Sequence, residues 1–229
     1  MRTRLPVLRC LLCSFLWPIS AHAQSGGTWQ TLAPMPSARQ ELATAVLNGK
    51  IYVMAGFAGT EGPTATVEVY NPNTNTWASA QSLPFANDHN NAAVAAGKLY
   101  SFGGISRRAF VYDPSNDSWS EVASMNFLHS GTAAVGVINE KIYVAGGGGT
   151  SSRALEMYDP GTNTWTVLAS MAVGRDHCAG GVIEGKFYVV GGRGSSNAST
   201  ALEVMIRKPA GGRGAPRCRP GAPASRPES

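Results

Sequence analysis

Outside its first 23 residues, this chain places its tryptophans at a nearly constant spacing. Trp29, Trp77, Trp119 and Trp165 are separated by 48, 42 and 46 residues. Each of the last three lies seven positions after a tyrosine, and a proline follows that tyrosine two residues later. A repeat of this length is typical of architectures in which similar units pack side by side. The 229 residues are therefore best interpreted as copies of one unit.

Each unit is predicted to contain four short antiparallel strands, named A to D. Strand A is small and apolar, as at 43–46, and a two-residue turn such as Asn48-Gly49 leads to strand B at 51–53. Strand C alternates by side, as at 67–70, and strand D contains the tryptophan. Four antiparallel strands repeated every 40 to 50 residues predict an all-β protein built from propeller blades.

The glycine pair after strand B, the strand-C tyrosine and the tryptophan seven residues later resemble the kelch repeat. The resemblance implies a kelch-type β-propeller, and it implies a ring of about six blades. About four blades are present, so we expect a truncated ring. The expected blades are residues 36–77, 78–119, 120–165 and 166–206, with 27–35 as the strand that closes the ring.

The two ends of the chain have a different composition. Residues 1–23 have the layout of a signal peptide with cleavage after Ala23, which predicts a secreted or periplasmic protein without a membrane span after cleavage. Residues 207–229 are rich in Pro, Gly and Arg and are expected to be disordered. Because the repeat pattern stops at Met205, residues 205–229 are interpreted as an out-of-frame tail, the alternative being a genuine disordered tail on a four-bladed ring.

The formal net charge of +5 comes from the two ends. Between residues 24 and 206 there are 10 basic and 13 acidic residues, so we expect no nucleic-acid partner. Cys178 and Cys218 are too few to suggest a disulfide framework, and Cys178 is expected to be a small buried residue.

Candidate ligand-binding residues lie in the connections from strand D to the next strand A. These connections share one end of the propeller with the B–C loops, whose lengths vary between units. Polar residues stand eleven positions before the lysine that opens strand B, or twelve positions before it in the third unit. Further polar residues stand nine positions before this lysine. The predicted site consists of Arg39, Glu41, Asn87, His89, His129, Arg175 and His177.

Three roles are open to this set. Arginine and histidine can hydrogen-bond loop backbone as scaffold, which is favoured, or they can bind an anionic ligand. Three imidazoles, from His89, His129 and His177, would also suit zinc or copper, but neither a metal nor another cofactor is assigned.

The favoured function is an exported recognition module that binds a protein, a peptide or a glycan. The alternative is an enzyme similar to the kelch-type sugar-acid epimerases and mutarotases, with Arg39, Glu41, Arg175 and His177 around the sugar acid. No catalytic residue is assigned, and the oligomeric state stays open.

Overall fold

The computed structural model describes residues 27–149, 152–194 and 197–206. The predicted signal peptide and the predicted tail at 207–229 lie outside these ranges. The described residues before Ala33 form no helix or strand. From Ala33 onward the chain forms four antiparallel sheets, three with four strands and one with three.

Each sheet is one blade, and its strands pair in chain order. The first blade consists of β1 Ala43–Leu47, β2 Lys50–Met54, β3 Val67–Asn71 and β4 Thr76–Ala80. The second consists of β5 Asn90–Ala95, β6 Lys98–Gly103, β7 Ala109–Asp113 and β8 Ser118–Val122. The third consists of β9 Ala134–Ile138, β10 Lys141–Ala145, β11 Leu155–Asp159 and β12 Thr164–Val167. The fourth consists of β13 Ala179–Ile183, β14 Lys186–Val190 and β15 Leu202–Met205.

The predicted all-β fold of propeller blades is confirmed. In the first three blades, strand D ends two or three residues beyond the expected boundaries at 77, 119 and 165, because it continues past the tryptophan. Residues 27–35, expected to close the ring, form no strand, and β15 is the outermost strand of the fourth blade. Ring closure by this segment therefore stays a prediction.

Adjacent blades pack through the apolar faces of their sheets, and the inner strands β1, β5, β9 and β13 contact one another in that order. Tyr52 of the first blade meets Tyr112 of the second with ring centroids 5.6 Å apart, and Tyr100 meets Tyr158 at 5.5 Å. Small residues in the inner strands make this approach possible. A Cβ atom on Gly136 would lie 2.6 Å from the ring of Phe187, which belongs to the fourth blade.

The A–B and C–D turns lie at one end of the propeller, here called the turn end. The same contacts recur there from blade to blade. Each tyrosine of strand C donates its hydroxyl hydrogen to a turn residue: Tyr70 to Asn75 at 2.9 Å, Tyr158 to Asn163 at 2.9 Å. Tyr112 does the same with Asp117 at 2.6 Å. These tyrosines are therefore part of the scaffold.

The tryptophans also repeat their contacts. The indole N–H of Trp77, Trp119 and Trp165 donates to a backbone carbonyl of the segment before its own blade, at Ala33, Gln81 and Ala123. Ala33 thus occupies the position that directly follows strand D in the other blades. By sequence, Trp29 precedes it by four residues, as Trp77 precedes Gln81.

Candidate functional site

The D–A and B–C connections form the opposite end, here called the loop rim. Its D–A part comprises residues 33–42, 81–89, 123–133 and 168–178, and its B–C part comprises the described residues of 55–66, 104–108, 146–154 and 191–201. Unlike the turn end, the loop rim differs from blade to blade in length and in side chains. All seven predicted site residues lie on it.

Four of the seven are buried inside their own blades. Arg39 lies 2.9 Å from Glu68, and Arg175 lies 2.9 Å from Glu203. Both arginine side chains are fully buried, and each also donates to a carbonyl of strand B, at Val53 and Val189 respectively. The guanidinium groups therefore fasten the D–A connection to the sheet of the same blade.

His129 takes the same place in the third blade. Its Nε2 atom lies 3.0 Å from Glu156, and its Nδ1 atom lies 2.5 Å from the carbonyl oxygen of Gly146. Both ring nitrogens face acceptors, which the doubly protonated imidazolium satisfies. Burial raises the pKa of Glu156, but hydrogen bonds from His129 and Asn126 outweigh it, so the pKa is lowered overall. The pair forms a buried ion pair.

The partner carboxylates Glu68, Glu156 and Glu203 were not recognised from the sequence. A signal was available, because each stands two residues before the strand-C tyrosine or its replacement Met205. In the second blade Phe110 occupies the position of the glutamate. Asn87, which is uncharged, occupies the position of the buried cation, and its side chain donates to the carbonyl of Gly103 at 3.1 Å.

The other three predicted residues converge, and they are here called the axial trio. Glu41, His89 and His177 come from the first, second and fourth blades, and one ligand-type atom of each lies within 4.8 Å of the other two. The Glu41 carboxylate lies 3.5 Å from Nε2 of His89 and 4.0 Å from Nε2 of His177. Their side chains are 36%, 23% and 24% exposed, so the trio is accessible from solvent.

Each histidine of the trio is oriented by the aspartate that precedes it. Nδ1 of His89 lies 2.5 Å from Asp88, and Nδ1 of His177 lies 2.9 Å from Asp176. Hydrogen bonds from His177 and Arg193 lower the pKa of Asp176 despite burial, which raises it. The sequence shows both Asp-His pairs, but their significance emerges only when the two rings meet.

The backbone brings the axial trio together. Glu41, His89 and His177 all have left-handed backbone angles, with φ values of 53°, 49° and 48°. The N–H of His89 donates to the carbonyl of Glu41 at 2.9 Å, and the N–H of His177 donates to that of Gly131 at 2.6 Å. Gly131 thus has the corresponding place in the third blade. A Cβ atom there would lie 3.2 Å from the His177 ring.

The structure therefore divides the predicted set by position. Arg39, Asn87, His129 and Arg175 occupy scaffold positions, and only the axial trio offers donor atoms to an incoming ligand. The metal set considered from the sequence is wrong in one member, because Glu41 rather than His129 lies beside His89 and His177. The two buried arginines also lack the open guanidinium groups that the sugar-acid hypothesis requires.

Similar proteins support the repeat assignment. The family model described as Kelch motif matches residues 38–84, 89–126 and 131–172. The chain belongs to the kelch-repeat family. Propellers of this family are commonly protein-interaction modules. Among the residues that the structure describes, no helix is both long and apolar enough to cross a membrane.

Curated relatives include Kelch-like protein terF of Aspergillus terreus, 33% identical over 53% of this chain and 31% of that protein. Kelch-like protein 35 of Mus musculus is 33% identical over 58% of this chain and 23% of that protein. The chain thus matches less than a third of the length of either relative. Among solved structures, that of YjhT aligns with a TM-score of 0.59 at 17% identity. The alignment covers 77% of this chain and 84% of the YjhT chain, which shows a similarity in fold.

Proposed function

We propose that this kelch-repeat propeller is an exported recognition module that binds a protein, a peptide or a glycan through the loop rim. The proposal depends on the contrast between the two ends of the blades. At the turn end the same tyrosine contacts recur, whereas the loop rim varies in length and exposes polar side chains. Variable loops on a rigid scaffold are the usual place for a binding surface. The layout of residues 1–23 supports export.

Exposed arginines on the loop rim are the side chains that we expect to contact a ligand. Arg107 and Arg153 are exposed in the B–C loops of the second and third blades, and Arg193 is exposed in that of the fourth. Arginine is enriched at the energetic centres of protein interfaces, and its fork also suits carboxylates of acidic peptides or sugar acids. We therefore expect an acidic protein segment as the ligand, with acidic glycans as the second class.

Screening the full chain, produced with its signal, against peptide-display and glycan arrays tests the proposal. The double variant Arg107→Ala, Arg153→Ala should lower affinity for a selected ligand at least about tenfold, as removal of interface arginines does. The double variant Lys98→Ala, Lys186→Ala removes the same charge at the turn end and should leave affinity within about twofold.

Equal losses for the two double variants would contradict binding through the loop rim. A mutarotation assay on free sugar acids, run with the same preparations, addresses the enzyme hypothesis. Turnover in that assay would replace the recognition proposal with the enzymatic one.

A further inference from the structure

The axial trio presents a donor set that a metal ion can use. Its two imidazole nitrogens and one carboxylate oxygen match the three protein ligands of open zinc sites, in which the fourth position holds water or a substrate atom. The donors reach one point from three blades that are distant in sequence, through Glu41, His89 and His177. The proposed recognition of a protein or glycan does not require such an arrangement.

An acidic partner beside each histidine favours coordination through Nε2. Asp88 and Asp176 each accept a hydrogen bond from Nδ1 of the adjacent imidazole, at 2.5 and 2.9 Å. In His89 this partner holds the proton on Nδ1 and leaves Nε2, which faces Glu41, available to a metal ion. In His177 the Arg193 Nη2 atom also lies 2.6 Å from Nδ1, so the same tautomer requires Arg193 to move away. Carboxylates that orient imidazoles in this way are regular partners of metal-ligating histidines.

The ligand atoms of the trio are already nearly as close together as they would be around a zinc ion. Ligand atoms around a tetrahedral zinc ion at ordinary bond lengths are separated by about 3.3 Å. The Glu41 oxygen already lies 3.5 Å from Nε2 of His89 and 4.0 Å from Nε2 of His177. Shifts of about 1 Å in three partly exposed side chains would bring their ligand atoms to the separations of a bound zinc ion. The three side chains are partly exposed, so a fourth ligand can reach the site from solvent.

Charge also favours a cation. Glu41, Asp88 and Asp176 place three carboxylates around the site, and the guanidinium of Arg193 opposes them. The Arg193 Nη2 atom lies 2.6 Å from Nδ1 and 3.0 Å from Nε2 of His177, and it would have to turn away from an incoming ion. Its side chain is 62% exposed and is anchored to Asp176 through Nε, so this movement breaks no buried contact.

We propose that Glu41, His89 and His177 bind a divalent transition metal ion, zinc being favoured by the donor set, with one position open to an external ligand. Arg193 covers the metal-free site and competes with the ion. The buried His129 takes no part, because both of its ring nitrogens already face Glu156 and Gly146.

Calorimetric titration of the full chain with Zn²⁺, after treatment with a chelator, tests the proposal. We expect one ion per chain, and loss of at least about a hundredfold in affinity for His89→Gln and for His177→Gln. Asp88→Asn, which removes an orienting partner, should cost about tenfold to a hundredfold. Glu61→Gln, an exposed carboxylate of a B–C loop, is the matched control and should have no effect.

Arg193→Gln makes the test independent of variants that impair folding. Removal of the competing positive charge should raise zinc affinity at least about fivefold. Replacement of zinc by Co²⁺ should give the visible absorption of a tetrahedral site, and this absorption should be absent in His177→Gln. Absence of stoichiometric binding, or binding unchanged in both histidine variants, would overturn the proposal whatever the outcome of the ligand screen.

Discussion

The two ends of this propeller differ in whether equivalent positions of the blades hold the same side chains and make the same contacts. At the turn end, Tyr70, Tyr112 and Tyr158 make equivalent hydrogen bonds in three successive blades. At the loop rim, one scaffold position holds an arginine, an asparagine, a histidine and an arginine, and the neighbouring position holds Glu41, His89, Gly131 and His177. Contacts that recur in every blade maintain the fold. Side chains that differ between blades while converging in space are the candidates for function.

The loop rim itself contains both kinds of position, only two residues apart. Arg39 is buried against Glu68, whereas Glu41 is 36% exposed beside two histidines. Variants that act on one of these positions and spare the other test whether the scaffold position and the axial position have different roles.

The buried pair of the third blade should carry the largest single effect. Glu156→Gln leaves the buried His129 without its carboxylate, and loss of one partner from a buried ion pair costs about 3–5 kcal/mol. The free energy of unfolding, measured by urea titration, should fall by that amount. Glu121→Gln, which removes a carboxylate from the exposed pair with Arg108, should cause no measurable change. Similar losses in both variants would mean that the scaffold position is not a buried ion pair.

A matched pair of glycines separates backbone strain from contact with the axial trio. Gly131 and Gly97 have φ values of 69° and 70°, so alanine at either position should cost about 1–2 kcal/mol of stability. Only at Gly131 would the new Cβ atom lie against the His177 ring, because nothing lies within 4 Å at Gly97.

Urea titration should therefore give a loss for Gly131→Ala at least as large as that for Gly97→Ala, while only Gly131→Ala should shift the imidazole NMR signals of His177. Unchanged His177 signals in Gly131→Ala would contradict the placement of Gly131 beside that ring.

The tyrosines of the turn end should give a small effect that depends on pH. Burial, and after it the charges of Tyr100 and Asp159, raises the pKa of Tyr158 to about 12. The unfolded chain loses the same proton near pH 10. Because the folded-state pKa is the higher one, this contribution to stability is complete below pH 10 and is lost as the pH rises toward 12.

Tyr158→Phe should lower stability by about 1 kcal/mol at pH 7, through loss of the bond to Asn163, and it should flatten the decline above pH 10. Thermal unfolding at a series of pH values checks both parts. A variant that declines as steeply as the parent chain would place the alkaline transition elsewhere.

Most of the fold could be predicted from the sequence because its determinants are local. The tyrosine, proline and tryptophan positions define strands C and D, and left-handed turns such as Asn48-Gly49 join strands A and B. The sequence also placed all candidate site residues on the correct end of the blades, since strand direction alone assigns each connection to an end.

The division of the site could not be predicted in the same way. In extended chain, Arg39 and Glu41 would point to the same side, because side chains alternate with a period of two. The left-handed φ of 53° at Glu41 breaks this alternation, as it does at His89 and His177. The spacing of Glu68, Glu156 and Glu203 before the strand-C position is visible in the sequence, but their pairing with the buried cations of the D–A connections is seen only in the structure. The glutamate contacts join segments about 30 residues apart, and the members of the axial trio are 48 to 136 residues apart in the chain.

One measurement tests the central claim, which is that the scaffold position and the axial position have different functions. Long-range nitrogen–proton NMR spectra of the full chain observe the described histidines, His89, His129 and His177, in one sample during titration with zinc. The Nε2 signals of His89 and His177 should move together and stop at one equivalent, while those of His129 stay in place. Movement of the His129 signals, or no movement of the other two, would contradict the account.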